Sequence, residues 1–115
     1  MSRDEPLLLD MLQAASDAAE FVAAVDQTQF YADKLHQYAV IRCIEIIGEA
    51  AGKVSREFRD AHPEIPWSDS VGMRHRLIHN YSDVRLDLVW DVVRSKLPEL
   101  IAILRPLVPP DRGDT

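Results

Sequence analysis

The stretch "VIRCIEIIGEAAGKV", residues 40–54, carries enough apolar residues at helical spacing to organise a whole domain. It belongs to a longer segment, about Gln29 to Ala61, which "HPEIP" ends because a residue before proline is disfavoured in a helix. The apolar side of this segment is broad, and it comprises Val40, Cys43, Ile44, Ile46, Ile47, Ala50, Ala51, Val54 and Phe58. A face this wide must pack against two or more neighbouring helices. We therefore predict that this segment is the central helix of a bundle.

Three further segments show the three-to-four spacing of helices that are buried on one side. They run from Pro6 to Val25, from after Trp67, with Ser68 or Asp69 as the N-cap candidate, to about Asn80, and from near Asp83 towards the prolines of "RPLVPP". Pro98 is expected to kink the last helix or to split it. No segment alternates with a period of two residues, so no strand is predicted. The expected fold is an all-α, up-and-down bundle of four to five helices.

Size and composition restrict the class of protein. A chain of 115 residues with 47% hydrophobic residues is one ordered domain by size, predicted as 1–108, with 109–115 as a flexible tail. No apolar run approaches the length that spans a bilayer, and the N-terminus does not read as an export signal, so we expect a cytoplasmic protein without membrane contact. The single cysteine, Cys43, is expected to pack as a small apolar residue.

The opposite side of the central helix is polar. Its residues form a stripe that is typical of a solvent-exposed face, namely Tyr31, Tyr38, Arg42, Glu45, Glu49, Lys53 and Arg56. Gly48 and Gly52 lie along the edge of this stripe. Because glycine weakens a helix, they predict the close approach of another backbone.

Cationic side chains are concentrated in one short segment of an otherwise acidic chain. The net charge of −6 opposes binding to a polyanion at long range. Between positions 74 and 85, however, a single acid, Asp83, accompanies Arg74, His75, Arg76, His79 and Arg85. Any anion that this protein handles is therefore expected at this segment.

Arg74 points where the apolar residues of its predicted helix point. A guanidinium cannot be neutralised and is costly to bury alone, so it must meet a carboxylate, carbonyl groups or a bound anion. Two interpretations remain open at this stage. One is an ion pair across the bundle with Glu45 or Glu49, and the other is contact with a phosphate.

His75 and His79 are four residues apart, a spacing that can chelate zinc. The metalloprotease form of that motif has a glutamate directly after the first histidine, where this chain has Arg76, and no nearby cysteine or histidine completes a site. We therefore predict no metal and no cofactor. His75 fits an exposed residue without a role, whereas His79, beside a fixed positive charge, fits proton transfer.

An arginine and a histidine suffice in principle to cleave RNA without a metal. The 2′-hydroxyl attacks the adjacent phosphorus, which requires charge stabilisation and proton transfer at one place. One chain supplies a single clear histidine for two proton transfers. Two copies related by a two-fold axis would supply both groups twice in a shared cleft, so a homodimer is predicted.

The same residues resemble the HEPN domains and, within them, the HepT-like toxins of HepT/MntA toxin–antitoxin systems. The family pattern of Arg, four residues, His, one residue and Tyr is matched by Arg74, His79 and Tyr81. The likeness extends over most of the chain, through "IEIIGEAAGKVS" (44–55), "HPEIPW" (62–67), "GMRHRLIHNY" (72–81) and the run from "LVWDVV" to "LPEL" (88–100). Members of this branch commonly carry asparagine where this chain has His75. This departure puts the polar contact expected of position 75 in doubt and leaves the pair Arg74 and His79 intact.

The resemblance implies a homodimer with a composite, metal-independent endoribonuclease site at the interface. It implies Arg74 and His79 as the catalytic pair and His75 and Arg76 as residues that shape the site. It also implies that an MntA-type nucleotidyltransferase antitoxin adenylylates Tyr81. On a helical wheel Tyr81 lies ~20° from Arg74, so an added AMP would obstruct the cleft. From spacing alone, a half-buried core tyrosine fits Tyr81 nearly as well.

Two rival interpretations remain open. HEPN-like bundles also serve as non-catalytic domains beside nucleotidyltransferases, where they bind a nucleotide or a partner. Alternatively, the chain is a structural dimerisation domain in which Arg74 pairs with a glutamate of the central helix.

Overall fold

The computed structural model describes residues 3–80 and 83–109, and the side chains of residues 79 and 80 lie outside that description. Within this part the helices are α1 (Glu5–Phe21), α2 (Gln27–Ala32), α3 (Lys34–Lys53), α4 (Arg56–Ala61), α5 (Trp67–Leu77), α6 (Leu86–Asp91) and α7 (Leu97–Leu104). A π-helical turn, Val92–Lys96, joins α6 to α7, and a 3-10 turn, Arg105–Leu107, follows α7. Except for residue 109, the predicted tail lies outside the described residues.

Helix α3 forms the centre of the bundle, as predicted. It packs mainly against α1 and α5, while α7 packs against α1. Its fully buried residues are apolar, and they are Val40, Ile41, Cys43, Ile44, Ile47, Ala50 and Ala51. Four long helical segments, α1, α3, α5 and the run from α6 to α7, surround one core. The prediction of an all-α bundle is confirmed.

Two capped breaks divide the segment that the sequence predicts as one helix from Gln29 to Ala61. The Asp33 carboxylate accepts the backbone N–H of Leu35 at 2.9 Å and begins α3. The Ser55 hydroxyl accepts the backbone N–H of Phe58 at 3.1 Å and begins α4. Both caps have extended backbone angles. A helix cannot continue through such a residue, so the single-helix prediction is wrong.

Helix α5 ends at Leu77, three residues before the predicted end. Ile78 is extended and begins strand β1 (Ile78–Asn80), which pairs antiparallel with β2 (Asp83–Val84). The backbone N–H of Arg85 continues this pairing by donating to the carbonyl of Leu77 at 2.8 Å. The predictions of a helix to Asn80 and of no strand are therefore wrong. Ile78 is β-branched and 2% exposed, and its burial in the hairpin competes with a further helical turn.

The predicted disturbance at Pro98 is present as a π-helical turn. In this turn the backbone N–H of Leu97 donates to the carbonyl of Val92, five residues earlier. Proline has no N–H, and its ring clashes with the carbonyl four residues before it in a regular helix. The wider turn changes the backbone just before the proline, and α7 then continues as an α-helix.

A buried carboxylate joins the start of α1 to the start of α4. Asp4 is 7% exposed, and it accepts the Ser55 hydroxyl at 2.7 Å and the Ser55 backbone N–H at 2.9 Å. The hydroxyl and then the backbone hydrogen bond lower the pKa of Asp4 below its ordinary value. Because the folded pKa is the lower one, this contact stabilises the fold above ~pH 3.9 and is lost as the pH falls through the folded pKa.

The predicted close approach of a second backbone is found at Gly48. A Cβ atom at this position would lie 3.1 Å from the backbone oxygen of Ser70 on α5. At Gly52 a Cβ atom would meet the Val71 side chain at 3.9 Å, an ordinary contact. Gly48 therefore sets how closely α5 packs on α3.

Two glycine-to-alanine substitutions are expected to differ in their effect on stability. Gly72→Ala in α5 should raise the free energy of unfolding by up to about 1 kcal/mol, because alanine favours the helix and a Cβ atom there meets nothing within 4 Å. Gly48→Ala brings the same gain in helix propensity but crowds the backbone oxygen of Ser70. Its free energy of unfolding should therefore rise by less than that of Gly72→Ala, or fall. Urea unfolding followed by circular dichroism measures both. Equal stabilisation by the two variants would contradict the close packing.

None of the helices in the described residues is long and apolar enough to cross a membrane.

Candidate functional site

An ion pair between α5 and α3 holds the arginine of the motif. The Nε atom of Arg74 donates to Oε2 of Glu45 at 2.6 Å. The two side chains differ in their access to solvent, since Glu45 is 13% exposed and Arg74 is 42% exposed. Of the two interpretations that the sequence leaves open for Arg74, the ion pair across the bundle is present, with Glu45 as the partner. Part of the Arg74 side chain therefore remains exposed to solvent.

A second arginine approaches the same carboxylate. The Nη1 atom of Arg42 lies 3.8 Å from Oε1 of Glu45 and 3.6 Å from Oε1 of Glu49. Both distances exceed that of a hydrogen bond, so these contacts are electrostatic. Arg42 is 60% exposed. Glu45 therefore lies between two guanidinium groups, and we refer to these residues as the Arg42–Glu45–Arg74 cluster.

The position of the cluster follows from the packing of the helices. Glu45 lies one turn before Gly48 on α3, and Arg74 lies one turn after Ser70 on α5. The close approach at Gly48 therefore brings the two side chains within reach of each other. Arg74, His75 and Arg76 also occupy the last turn of α5, where positive charge interacts favourably with the negative end of the helix.

The cluster has the chemistry of a phosphate-binding site. A guanidinium donates several parallel hydrogen bonds, which match the oxygens of a phosphate. The nearly buried Glu45 carboxylate fixes the orientation of Arg74 and so reduces the conformational entropy lost on binding. An arginine that is held in place and partly exposed can stabilise charge that develops on a phosphoryl group.

The two residues predicted to shape the site lie apart from the cluster. His75 is exposed on α5. Arg76 is also exposed and pairs with Asp69 at 3.2 Å. It lines a separate cavity of about 400 Å³, between α5 and the run from α6 to α7, together with apolar residues such as Met73 and Leu97. Within one chain, neither residue is part of the Arg42–Glu45–Arg74 cluster. Their roles in the site stay predictions.

The remaining motif residues lie at or beyond the edge of the described structure. His79 belongs to strand β1, and its side chain lies outside the described residues, as does Tyr81 altogether. Since α5 ends at Leu77, the helical-wheel positions inferred for His79 and Tyr81 do not apply. The proposed roles of both residues stay predictions that rest on the sequence.

Two further observations bear on metals and reactive groups. Over residues 3–80 and 83–109, no three His, Cys, Asp or Glu side chains are grouped so that they could hold a metal ion. The predicted burial of Cys43 is confirmed, since it is 5% exposed. Burial raises the pKa of its thiol to about 11, which makes it a poor nucleophile at neutral pH.

The sequence predicts a solvent-exposed stripe that includes Arg42 and Tyr38, and it indicates no role for either residue. The structure shows that both line one open cavity of about 440 Å³, together with Ile41 and Glu45. A signal for this grouping was present in the sequence. Arg42 precedes Glu45 by one helical turn, and Glu45 was already a candidate partner of Arg74.

Comparison with known proteins identifies the family. A family model described as "Ribonuclease HepT-like" matches residues 11–107. The chain is 40% identical over 93 residues to "Putative RNase MJ1380" of Methanocaldococcus jannaschii, which covers 81% of this chain and 85% of that protein. It is also 40% identical over 93 residues to "Probable ribonuclease HepT" of Thermococcus cleftensis, which covers 81% and 84%. No solved structure matches. With the family model spanning most of the bundle, this chain belongs to the HepT-like ribonuclease family.

Proposed function

We propose that this protein is a metal-independent endoribonuclease and the toxin of a toxin–antitoxin pair. The observation that carries the proposal is Arg74, which Glu45 holds at 2.6 Å while 42% of the arginine side chain stays exposed. This arginine is the first residue of the family motif in a chain that belongs to a ribonuclease family. A guanidinium held in a fixed orientation can stabilise the charge that develops on phosphorus during cleavage.

In the proposed reaction a 2′-hydroxyl of RNA attacks the neighbouring phosphorus. A base takes the hydroxyl proton, the new O2′–P bond forms, and the P–O5′ bond breaks. An acid protonates the departing 5′-oxygen, so the products are a 2′,3′-cyclic phosphate and a 5′-hydroxyl. Arg74 stabilises the charge on the non-bridging oxygens, and His79 transfers a proton. A homodimer with its two copies of the motif in one cleft would provide the second histidine.

We further propose that a nucleotidyltransferase antitoxin silences this site. It would transfer AMP from ATP to the hydroxyl of Tyr81, with release of pyrophosphate. Tyr81 follows His79 by two residues in the sequence. The added phosphodiester would carry a negative charge and an adenosine to the motif, where they would compete with RNA for the arginine.

The ion pair also favours a second candidate function. Because Arg74 already has a carboxylate partner, the chain could serve as a non-catalytic domain, either a structural dimerisation domain or one that binds a nucleotide or a partner protein. In each of these cases RNA would remain intact. The exposure of Arg74 is compatible with both functions, so a cleavage assay separates them.

The nuclease proposal is tested by the products that form when metals are removed. We expect the purified protein to cleave single-stranded RNA equally well with and without EDTA. The 5′ fragments should end in a 2′,3′-cyclic phosphate, which mass spectrometry identifies by its lower mass relative to an open phosphate. Loss of cleavage in EDTA, or products with a 3′-hydroxyl, would contradict the mechanism. Intact RNA at every condition would favour the non-catalytic domain.

A further inference from the structure

We propose that the cavity formed by Tyr38, Ile41, Arg42 and Glu45 is a subsite for one nucleotide of single-stranded RNA, next to the phosphate that is cleaved. This inference rests on the proposed ribonuclease function. It assigns a binding role to Tyr38 and Arg42, two residues outside the Arg-x4-His-x-Tyr motif.

The cavity has the lining of a small-ligand site. Its volume is about 440 Å³, and it is an open depression on one side of α3 rather than an enclosed cleft. Its four lining residues lie on two successive turns of α3. Ile41 is 2% exposed and contributes apolar surface to the lining, while Tyr38 is 50% exposed. A base can stack on an exposed ring of this kind whatever its sequence, because every base has a π-face.

Arg42 supplies the charge that a nucleotide needs. Its guanidinium lies 3.6 and 3.8 Å from the nearest carboxylate oxygens, so an incoming phosphate does not have to break a close hydrogen bond. The side chain is 60% exposed, which lets it move towards a phosphate. In a chain with a net charge of −6, and with the Glu45 and Glu49 carboxylates beside it, Arg42 is the cation that a phosphate would meet on this face.

Glu45 connects this cavity to the motif. One of its carboxylate oxygens accepts the hydrogen bond from Arg74, and the other faces Arg42. The two guanidiniums therefore approach the two oxygens of a single carboxylate. An RNA strand that places its scissile phosphate at Arg74 would place an adjacent phosphate or base at Arg42 and Tyr38.

The chemistry of the lining favours RNA over a second copy of the chain. Glutamate is depleted in protein–protein interfaces and this cavity includes Glu45, although arginine and tyrosine are enriched in such interfaces. An aromatic ring beside an arginine is a common pair in sites that bind single-stranded nucleic acid. Stacking on Tyr38 requires an unpaired base, so the protein should bind double-stranded RNA more weakly than single-stranded RNA.

The test measures binding separately from cleavage. A fluorescein-labelled, fully 2′-O-methylated oligoribonucleotide is used, because it lacks the attacking hydroxyl and stays intact. By fluorescence anisotropy, Tyr38→Ala should raise the Kd about 5- to 150-fold, the range expected for loss of one stacked base. Tyr38→Phe keeps the ring and should bind like the unmodified protein. Leu35→Ala is the control, because Leu35 is on the same helix and is 76% exposed.

A second measurement examines Arg42 through the dependence on salt. Arg42→Gln should reduce the slope of log K against log salt concentration by about 0.7, the value for one phosphate contact with a single strand. Arg59→Gln on α4 is the control and should leave the slope unchanged. If the Arg42→Gln slope equals that of the unmodified protein, Arg42 contacts no phosphate and the subsite is wrong.

The outcomes separate the subsite from the nuclease proposal. If the protein cleaves RNA through Arg74 but Tyr38→Ala leaves the Kd unchanged, the subsite is refuted and the nuclease function stands. If RNA is bound through Tyr38 but never cleaved, the nuclease function fails and the subsite stands. A third outcome is that Tyr38 contacts a second subunit, and light scattering after size-exclusion chromatography tests it. A change in the mass of the Tyr38→Ala protein would assign this face to a contact between subunits and overturn the subsite, whatever the Kd.

Discussion

Replacing Arg74 by alanine is expected to lower kcat/KM for RNA cleavage by about 10²–10³-fold, the usual loss when one group that stabilises transition-state charge is removed. The guanidinium is the charge-stabilising group of the proposed mechanism, and Glu45 fixes its Nε atom at 2.6 Å. Lysine at this position keeps the charge but cannot reproduce the planar, forked contact, so Arg74→Lys should recover part of the activity. Initial rates on a single-stranded RNA provide the measurement.

Arg56→Ala provides a matched control for this loss. Arg56 is 91% exposed on α4 and lies 3.9 Å from Asp60, so its removal takes away one positive charge without touching the cluster. Its cleavage rate should equal that of the unmodified protein. Unfolding of each variant by urea shows whether the fold persists, since Glu45 loses a partner in Arg74→Ala. Unchanged cleavage by a folded Arg74→Ala protein would refute the catalytic role. Loss of the fold would instead indicate that Arg74 is a structural residue.

Replacing His79 by alanine is expected to lower kcat by about 10²–10⁴-fold, the usual contribution of a positioned general acid or base. Both proton transfers of the proposed reaction need such a group, one at the attacking 2′-oxygen and one at the departing 5′-oxygen. His36→Ala is the control, because His36 is partly exposed at the start of α3, where it contacts the Asp33 carboxylate at 2.7 Å. That variant should cleave RNA at an unchanged rate.

A modified substrate distinguishes proton donation by His79 from a structural effect. If the 5′-oxygen of the scissile linkage is replaced by sulfur, the leaving group needs no proton. A folded His79→Ala protein should then recover the part of the rate that is lost at the leaving group, but not the part lost at the 2′-hydroxyl, whereas Arg74→Ala should recover neither. Equal losses on both substrates would exclude His79 as the acid.

The core of the bundle could be predicted from the sequence, because burial repeats with the helical period. Val40, Ile44 and Ile47 were placed on the apolar face of the central helix, and all three are fully buried. The breaks at Asp33 and Ser55 were missed because apolar spacing continues across them, although both residues are good N-caps. The strand at Ile78 was missed for a different reason. Three residues are too few for a period of two to be recognised.

The candidate site was predictable in its composition but not in its geometry. The sequence required a partner for Arg74 and offered Glu45 as one possibility, which the packing of α5 on α3 realises. It could not reveal that Arg42 shares the carboxylate, because an exposed stripe and a binding face have the same periodicity. The helical-wheel positions of His79 and Tyr81 assumed that the helix continues beyond Leu77, where the structure ends it, and both side chains lie outside the described residues.

The burial of Cys43 makes this protein convenient for spectroscopic labelling. It is the sole cysteine in the sequence, and with a pKa of about 11 on the order of 10⁻⁴ of its thiol is ionised at pH 7. A maleimide dye or nitroxide would therefore react selectively with a cysteine introduced at an exposed position such as Ser68. Paired spin labels on two copies of the chain would then report the distance between subunits directly.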